Sequence, residues 1–330
     1  MGRNHARVYH ELPDIELIGI ADVDGARAQR LAYLCGTRPF VNYQEMLERE
    51  RPDAVSVAVP TQMHCAVVAD ALAAGAHVLV EKPIAASLDE ADRLVAMAHD
   101  CQRILMVGHI ERFNPAAIEL KRRLDLGELG RIFQIHARRL GPFPPRVRDV
   151  GVVVDLATHD LDVMRWLTGS EAVRLYAEVK REVHTSREDL LSAIVRFRND
   201  ALGVLEINWL TPTKVRELCV TGERGMFRVD YLTQDLYFFE NAEASGTTWN
   251  PLSVLRGVSE GAMIRFAVQR VEPLRAELEA FIAAVNGCPE RVVSGYDGTA
   301  ALRLALLLNE AAETHCSLDV LGQYTPELAV

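Results

Sequence analysis

Residues 53–83 read DAVSVAVPTQMHCAVVADALAAGAHVLVEKP. After Asp53 the first seven residues are apolar and rich in valine, with one serine. A short run without a polar face reads as a strand buried on both sides. Residues 62–74 hold a helical pattern, and the Ala74-Gly75 pair gives that helix its stop. "HVLVE" (77–81) is a second buried strand. Strand, helix and strand within about thirty residues make a βαβ unit, whose strands run parallel. Outward from it, "IELIGIA" (15–21) and a helix over 24–34 come before, and a helix over 87–100 and "ILMVG" (104–108) come after. The series predicts a doubly wound α/β domain over 1–108, its parallel sheet covered on both faces.

After Gly108 the texture changes. A helix is predicted over 115–125, a long strand over 131–140, a Pro-rich loop over 141–149 and a helix over 152–169. From 174 to 240 at least five strand-like runs follow one another across turns, among them "LLSAIVRFRN", "ALGVLEINWL", "RELCVTG", "MFRVDYL" and "DLYFFE". Consecutive strands with tight turns imply an antiparallel sheet. Residues 242–262 lack a pattern and read as loop; helices over 272–287 and 297–313 close the chain. Residues 109–330 are therefore expected to form an α+β domain with an open antiparallel sheet. An uncovered face on such a sheet calls for a partner, and a homo-oligomer, dimer or tetramer, is expected through it.

Composition narrows the function classes. At 330 residues the chain can bury two cores, and 49% hydrophobic with 25% charged residues is ordinary for a globular protein. The net charge of −10, with no basic block, argues against nucleic acid as a partner. No apolar run reaches the ~18 residues needed to span a bilayer, and no signal peptide is recognised. The six cysteines are scattered without C-x-x-C spacing, which predicts reduced thiols in a cytoplasmic protein and no zinc site. Of 36 basic residues only four are lysines (Lys82, Lys121, Lys180, Lys214), so a lysine carries more information here than an arginine.

Several residues stand where such folds do chemistry. Asp22 follows the strand at 15–21, where a carboxylate accepts hydrogen bonds from the ribose hydroxyls of NAD and repels the 2′-phosphate of NADP. Asp22 or Asp24 also suits the N-cap of the next helix. Gly2 lies 20 residues upstream of Asp22, the interval expected between a glycine turn and such an acid. Pro60 and Thr61 open a helix at the carboxyl end of a parallel strand, the edge at which ligands bind, and would line the nicotinamide side; Thr61 also suits a plain N-cap, and His64 a first-turn surface residue. Glu81 and Lys82 end the next strand. An ammonium there can hold an alkoxide or, with a lowered pKa, join proton transfer, which a guanidinium cannot. Asp155 and His159 are four apart on one helix face, a spacing that serves a catalytic pair or a structural one.

The stretches "VPTQMH…ALAAGAHVLVEKPIAAS…GHIERFNPA…GELGRIFQIHARR…GVVVDLATHDLDVMRWLTG" resemble the Gfo/Idh/MocA oxidoreductases over nearly the whole chain. Within that family, "GHIERFNP", "RRLGPFPPRVRDVGVVVDLATHDLDVMRWL" and "VEPLRAELEAF" look most like the UDP-N-acetylglucosamine 3-dehydrogenases. Those enzymes oxidise the C3 hydroxyl of the sugar to a ketone with NAD, and an aminotransferase often follows. The resemblance implies a catalytic set of Lys82, His159 and Asp155. It implies cofactor contacts from Gly2, Arg3, Asn4, Asp22, Pro60, Thr61, His64, Glu81 and Lys82. Arg112, Asn114 and Arg146 are the candidates for substrate contact. Two other readings stand beside it: a dehydrogenase of a free polyol or sugar, and a non-catalytic sugar-binding protein.

The resemblance also implies a Rossmann-type domain that begins with a strand and a G-x-G-x-x-G turn, of which this sequence holds only the last glycine, Gly2. That strand is central in the order 3-2-1-4-5-6. Some five buried aliphatic side chains at ~1.5–3 kcal/mol each are worth about as much as a domain's net stability. The expectation is a start upstream of Met1; a genuinely shortened chain without cofactor binding is the alternative.

Overall fold

Helices and strands alternate as the pattern requires. In chain order they are α1 (Gly2–Glu11), β1 (Gly19–Ala21), α2 (Gly25–Cys35), β2 (Arg38–Phe40), α3 (Tyr43–Glu50), β3 (Ala54–Val57), α4 (Thr61–Ala73), β4 (His77–Glu81), α5 (Leu88–Asp100) and β5 (Leu105–Gly108). The computed structural model describes residues 1–144, 150–183, 187–241 and 260–320. They divide into two units, 1–113 with 271–303, and 114–270 with 304–330. The single cut at 108/109 drawn from sequence differs from this, because residues 271–303 return to the first unit. The reason is packing. Helix α8 (Pro273–Val285), numbered after the helices of the second unit, buries Leu274, Leu278 and Phe281 against Val8, Leu12 and Phe113. Residue 293 then extends the edge of β5, accepting a hydrogen bond of 2.9 Å from the Val107 amide.

All strands of the first unit run parallel, but in two groups. β1 pairs with β2 over three residues, and β3, β4 and β5 pair in that order. Among the described residues no strand joins β1 to β3. Burial shows the effect: every residue of β1 and the first three of β3 are only half-buried, whereas 78–81 of β4 and all of β5 are buried. The predicted strand 15–21 correspondingly shrinks to Gly19–Ala21. β2 and α3 were not anticipated. β2 is three residues with a proline at its centre, too short to show a period.

Beside Leu278 on α8 sits a buried acid. Glu277 is 1% exposed. Burial, and after it the charge of Glu81, pushes its carboxyl well above the usual carboxylate range. Between the unfolded and the folded titration ranges, the native state therefore keeps this proton while the unfolded chain loses it.

The second unit carries α6 (Pro115–Asp125), β6 (Ile132–Pro142), a π-helical turn (Val153–Ala157), α7 (Thr158–Thr168), and β7 to β12 (Ala172–Lys180, Leu190–Phe197, Leu202–Asn208, Leu210–Gly222, Gly225–Asp230, Asp235–Asn241). β13 (Glu260–Phe266) and β14 (Leu318–Asp319) complete its sheet; helix α9 (Gly295–Thr314) contributes residues from Leu304 onward. The order is β13-β12-β11-β10-β6-β9-β8-β7-β14. The expected antiparallel sheet is mixed at its centre, where β6 and β9 pair in parallel from Gln134↔Leu202 to Leu140↔Asn208. Such a pair needs a crossover, and the chain between them supplies one through α7. β13 occupies part of the stretch 242–262 read as loop, whose remainder, 242–259, lies outside the described residues.

One face of the sheet is core: Ile135, Ala137, Leu205, Ile207, Leu218, Val220, Phe227 and Val229 are buried with α7 residues Leu161, Val163 and Met164. The other face keeps Arg138 and Glu206 in an ion pair of 2.9 Å and leaves Ile194 50% and Met263 65% exposed. Helix α7 is fixed to β6 by Arg139, whose Nε and Nη2 donate to the two carboxylate oxygens of Asp160 at 2.7 and 2.9 Å. Both side chains are nearly without solvent contact, 4% and 2% exposed.

Two stability predictions follow from these buried charges. Asp160→Asn removes the charged half of the buried Arg139–Asp160 fork and should lower the urea midpoint of unfolding. Glu277→Gln removes a group whose folded pKa is raised. Its contribution is complete below the unfolded value of about 4.3 and is lost as pH rises. The Gln variant should therefore match the parent near pH 4 and exceed it in stability by pH 8, read as the difference in urea midpoint.

Candidate functional site

Three of the parallel strands, β1, β3 and β4, lead at their carboxyl ends into residues singled out from the sequence. At the tip of β1, Asp22 accepts the Asp24 amide at 2.9 Å and the Arg27 guanidinium at 3.3 Å. Asp24, not Asp22, is the N-cap of α2, accepting the Arg27 amide at 3.1 Å. Asp22 is thus not used as a cap, and its side chain keeps 26% exposure at the strand end.

Helix α1 begins at Gly2 with Met1 as N-cap and no side chain capping it. Such a helix end presents backbone N–H donors to an anion. Arg3 and Asn4 are exposed on its first turn. A Cβ built on Gly2 would lie 3.7 Å from the Cβ of Ala58, just past β3. The helix start therefore packs directly on a strand end, as the third position of a dinucleotide turn does, where glycine or alanine serves. The acid at β1, the uncapped start of α1 and its close seat on the end of β3 all suit the ribose and pyrophosphate of NAD.

Beyond β3, Pro60 is the N-cap of α4 and Thr61 its first residue. β4 ends on Glu81, and Lys82 and Pro83 follow it. Glu81 is 9% exposed and receives His5 Nε2 at 2.8 Å. Burial opposes its ionisation, but the hydrogen bond to His5 and the charge of Lys82 outweigh burial and hold the carboxyl below its usual range. His5 was missed from sequence, although it lies on the buried stripe of α1 with Ala6 and Val8. A histidine on an otherwise apolar stripe is the signal that would have found it. Lys82 itself is half-buried.

His64 departs from its expected place. It is 1% exposed, not a surface residue, with Nδ1 2.8 Å from the Pro83 carbonyl oxygen and Nε2 3.0 Å from that of Val59. Both ring nitrogens face backbone, so a direct cofactor contact through them is not what the fold gives it. Burial lowers its pKa; the Pro83 and Val59 carbonyls and the charge of Glu81 act the other way.

In the second unit, Asp155 lies in the π turn and His159 in the first turn of α7, both half-buried. A π turn inside a helix frequently marks a functional position. Its start is held by Glu188, whose carboxylate accepts the Val153 amide at 3.3 Å. That carboxylate fills the space a side chain at residue 151 would need: a Cβ on Gly151 would stand 2.0 Å from Glu188 Oε1.

The expected substrate contacts fare less well. Asn114 is 2% exposed; its amide donates to the Tyr231 carbonyl at 3.0 Å and its oxygen accepts the Ala116 amide at 3.1 Å. It is a buried N-cap of α6, not a ligand contact, because both ends of its side chain serve the fold. Arg112 pairs with Asp297 at 3.1 Å within the first unit, its side chain 11% exposed. Arg146 lies outside the described residues. Among the described residues no group of three His, Cys, Asp or Glu side chains could hold a metal ion, and no helix is long and apolar enough to cross a membrane.

Known proteins of the same build carry the same two halves. Residues 1–109 match the model of the oxidoreductase family with an NAD-binding Rossmann fold, and residues 117–228 match the GFO/IDH/MocA C-terminal domain. A UDP-N-acetylglucosamine 3-dehydrogenase of Acidithiobacillus ferrooxidans is 31% identical over 95% of this chain and 94% of its own. A solved structure of that enzyme superposes with a TM-score of 0.81 at 30% identity, covering 95% of each chain. Inositol 2-dehydrogenase 1 of Saccharopolyspora erythraea is 29% identical over 94% of this chain and 91% of its own. With a parallel-stranded unit whose strand ends suit NAD and a mixed-sheet unit carrying the D-x-x-x-H pair, the chain belongs to the Gfo/Idh/MocA family of NAD-dependent oxidoreductases.

Proposed function

We propose that this chain oxidises the C3 hydroxyl of UDP-N-acetylglucosamine to the 3-keto sugar. The observation that carries the reading is end-to-end similarity, at 31% identity, to an enzyme of that name. An inositol dehydrogenase at 29% identity over 94% of the chain keeps a free polyol as the second reading.

Bound NAD supplies the hydride acceptor. Asp22 would take the adenosine ribose, the first turn of α1 the pyrophosphate, and Pro60 and Thr61 the nicotinamide side. His159 takes the proton of the reacting hydroxyl, and Asp155 orients the site. Lys82 holds the developing alkoxide with its ammonium, although the proton-taking and alkoxide-holding roles of His159 and Lys82 are interchangeable in principle. Glu81, the neighbour of Lys82 at the end of β4, is committed to His5. The product is a ketone on a nucleotide sugar, and the class of reaction suited to consume it is a transamination. The half-apolar outer face of the mixed sheet, with Ile194 and Met263 exposed, supports assembly of copies of the chain through it.

The purified protein with NAD should form NADH and a product two hydrogens lighter when given UDP-N-acetylglucosamine, and little or none with myo-inositol. The reverse preference would establish the polyol reading. Lys82→Met and His159→Asn should each lower kcat by about 10²–10⁴ while NADH still binds. Asp22→Ser should weaken NAD and narrow its margin over NADP, measured as the ratio of the two kcat/KM values.

A further inference from the structure

Residues 150–154, where the helix bearing Asp155 and His159 begins, read VGVVV. No side chain among them can accept a hydrogen bond, although a helix start leaves backbone amides to be satisfied. Valine, stiff at its branched carbon, is also a weak helix former, so this stretch does not specify its own turn. The acceptors come from residue 188. The Val152 amide donates to the Glu188 carbonyl oxygen at 2.9 Å, and the Val153 amide to its carboxylate at 3.3 Å. Glycine at 151 leaves room for that carboxylate, which lies where the Cβ of a larger residue would stand. Glu188 is 7% exposed, an acid taken out of water to stand at the start of a helix, the end that favours an anion. Its backbone is well anchored. The next residue, Asp189, donates to the Lys180 oxygen on β7 and accepts the Trp209 amide, each at 2.9 Å, and β8 begins at Leu190. The Asp155 amide in turn donates to the Gly151 carbonyl at 3.0 Å, so Asp155 is tied to the residue against which Glu188 packs.

We propose that Glu188 is a positioning residue: held by the sheet, it sets the start of the π turn and through it the place of Asp155 and His159. The inference rests on the proposed function for the roles of those two residues. Its physical basis is separate. A π turn closes its hydrogen bond one residue later than an α turn, so the direction of the side chains that follow depends on where the turn begins. Asp155 lies inside the turn and His159 just past it. A displacement of about 1 Å at a reacting group can cost ~10²-fold in rate. Glu188 acts through backbone amides, not by contact with the reacting hydroxyl.

Substitutions at 188 separate the place of the acceptor from its charge. Glu188→Gln keeps an oxygen at the Oε1 position and loses the charge. Glu188→Asp keeps the charge and withdraws the oxygen by one methylene. Glu188→Ala removes both. The Gln variant should keep kcat near the parent value, and the Asp and Ala variants should lower it by about 10- to 100-fold. NADH affinity, read by fluorescence titration, should stay near the parent value in all of them. Gly151→Ala drives the carboxylate from the same space and should lower kcat in the parent but add little in Glu188→Ala. A residue needed only for stability would shift the urea midpoint and leave kcat of the folded enzyme unchanged. Full activity in the Asp variant, a loss in Gln equal to that in Ala, or an equal cost of Gly151→Ala in both backgrounds overturns the role of Glu188. The Asp and Gln comparison stands even where the Ala variant fails to fold. Turnover is read with UDP-N-acetylglucosamine, or with myo-inositol if the parent prefers it. If the parent binds NADH and oxidises neither, the proposed substrate fails, and the His159 ring decides the role of Glu188 by nuclear magnetic resonance. In protein isotope-labelled at histidine Cε1, the signal missing from His159→Asn should shift in the Asp variant and not in the Gln variant; the same signal position in both overturns the inference.

Discussion

A buried carboxylate at the end of a central parallel strand sets the terms for the first unit. Glu81 closes β4, 9% exposed, in a setting that would otherwise force it to keep its proton. The 2.8 Å contact with His5 and the charge of Lys82 hold it ionised. The same contact joins α1 to β4. This matters because β1–β2 and β3–β4–β5 are separate ladders among the described residues. α1 touches elements on both sides of that gap: His5 reaches β4 and Tyr9 shares a 2.7 Å hydrogen bond with Ser56 on β3, while the Cys35 thiol at the end of α2 donates to the Ala6 carbonyl at 3.8 Å. A helix that brings backbone donors to one side of the strand ends thus also supplies the base that keeps Glu81 charged.

The second unit solves a related problem with a different pair. A helix with a π turn is irregular where it bears Asp155, and irregular backbone needs outside support. Support comes from both ends of the segment. Glu188 holds the start through the Val153 amide, and the Arg139–Asp160 pair anchors α7 to β6, the strand at the parallel centre of the sheet. A bidentate arginine fork fixes direction as well as distance. His159 lies next to Asp160 in sequence, so the residue expected to move a proton neighbours one that cannot shift without breaking a buried ion pair.

Much of this was legible in the sequence, for a physical reason: strands buried on both faces have no choice but to be apolar throughout. Residues 53–83 and 104–108 therefore gave their strands within a residue or two, and the motif residues Glu81, Lys82, Asp155 and His159 could be placed on named elements. Signals failed where structure depends on contacts distant in sequence. β2 has three residues and a central proline, β13 follows a stretch without pattern, and the β6–β9 pair is parallel only because of a long crossover. Asn114 departed from expectation for another reason. Its amide chemistry suits a sugar, but an asparagine before Pro115 is also a helix cap, and capping prevailed. His64 looked like a first-turn surface residue because spacing alone cannot reveal that the two neighbouring strand ends leave carbonyls pointing at it.

Two acids near one another, Glu81 and Glu277, show how a single fold selects charge. Both are buried, and in a low-dielectric core two adjacent carboxylates cannot both ionise at modest cost. Burial acts against the charge of both; at Glu81 the hydrogen bond to His5 and the charge of Lys82 hold the carboxyl below its usual range, whereas at Glu277 burial and then the charge of Glu81 push it well above. The assignment is not symmetric, because only Glu81 is contiguous with the strand end that delivers Lys82. Were the charge to move to Glu277, His5 would lose its charged acceptor on β4.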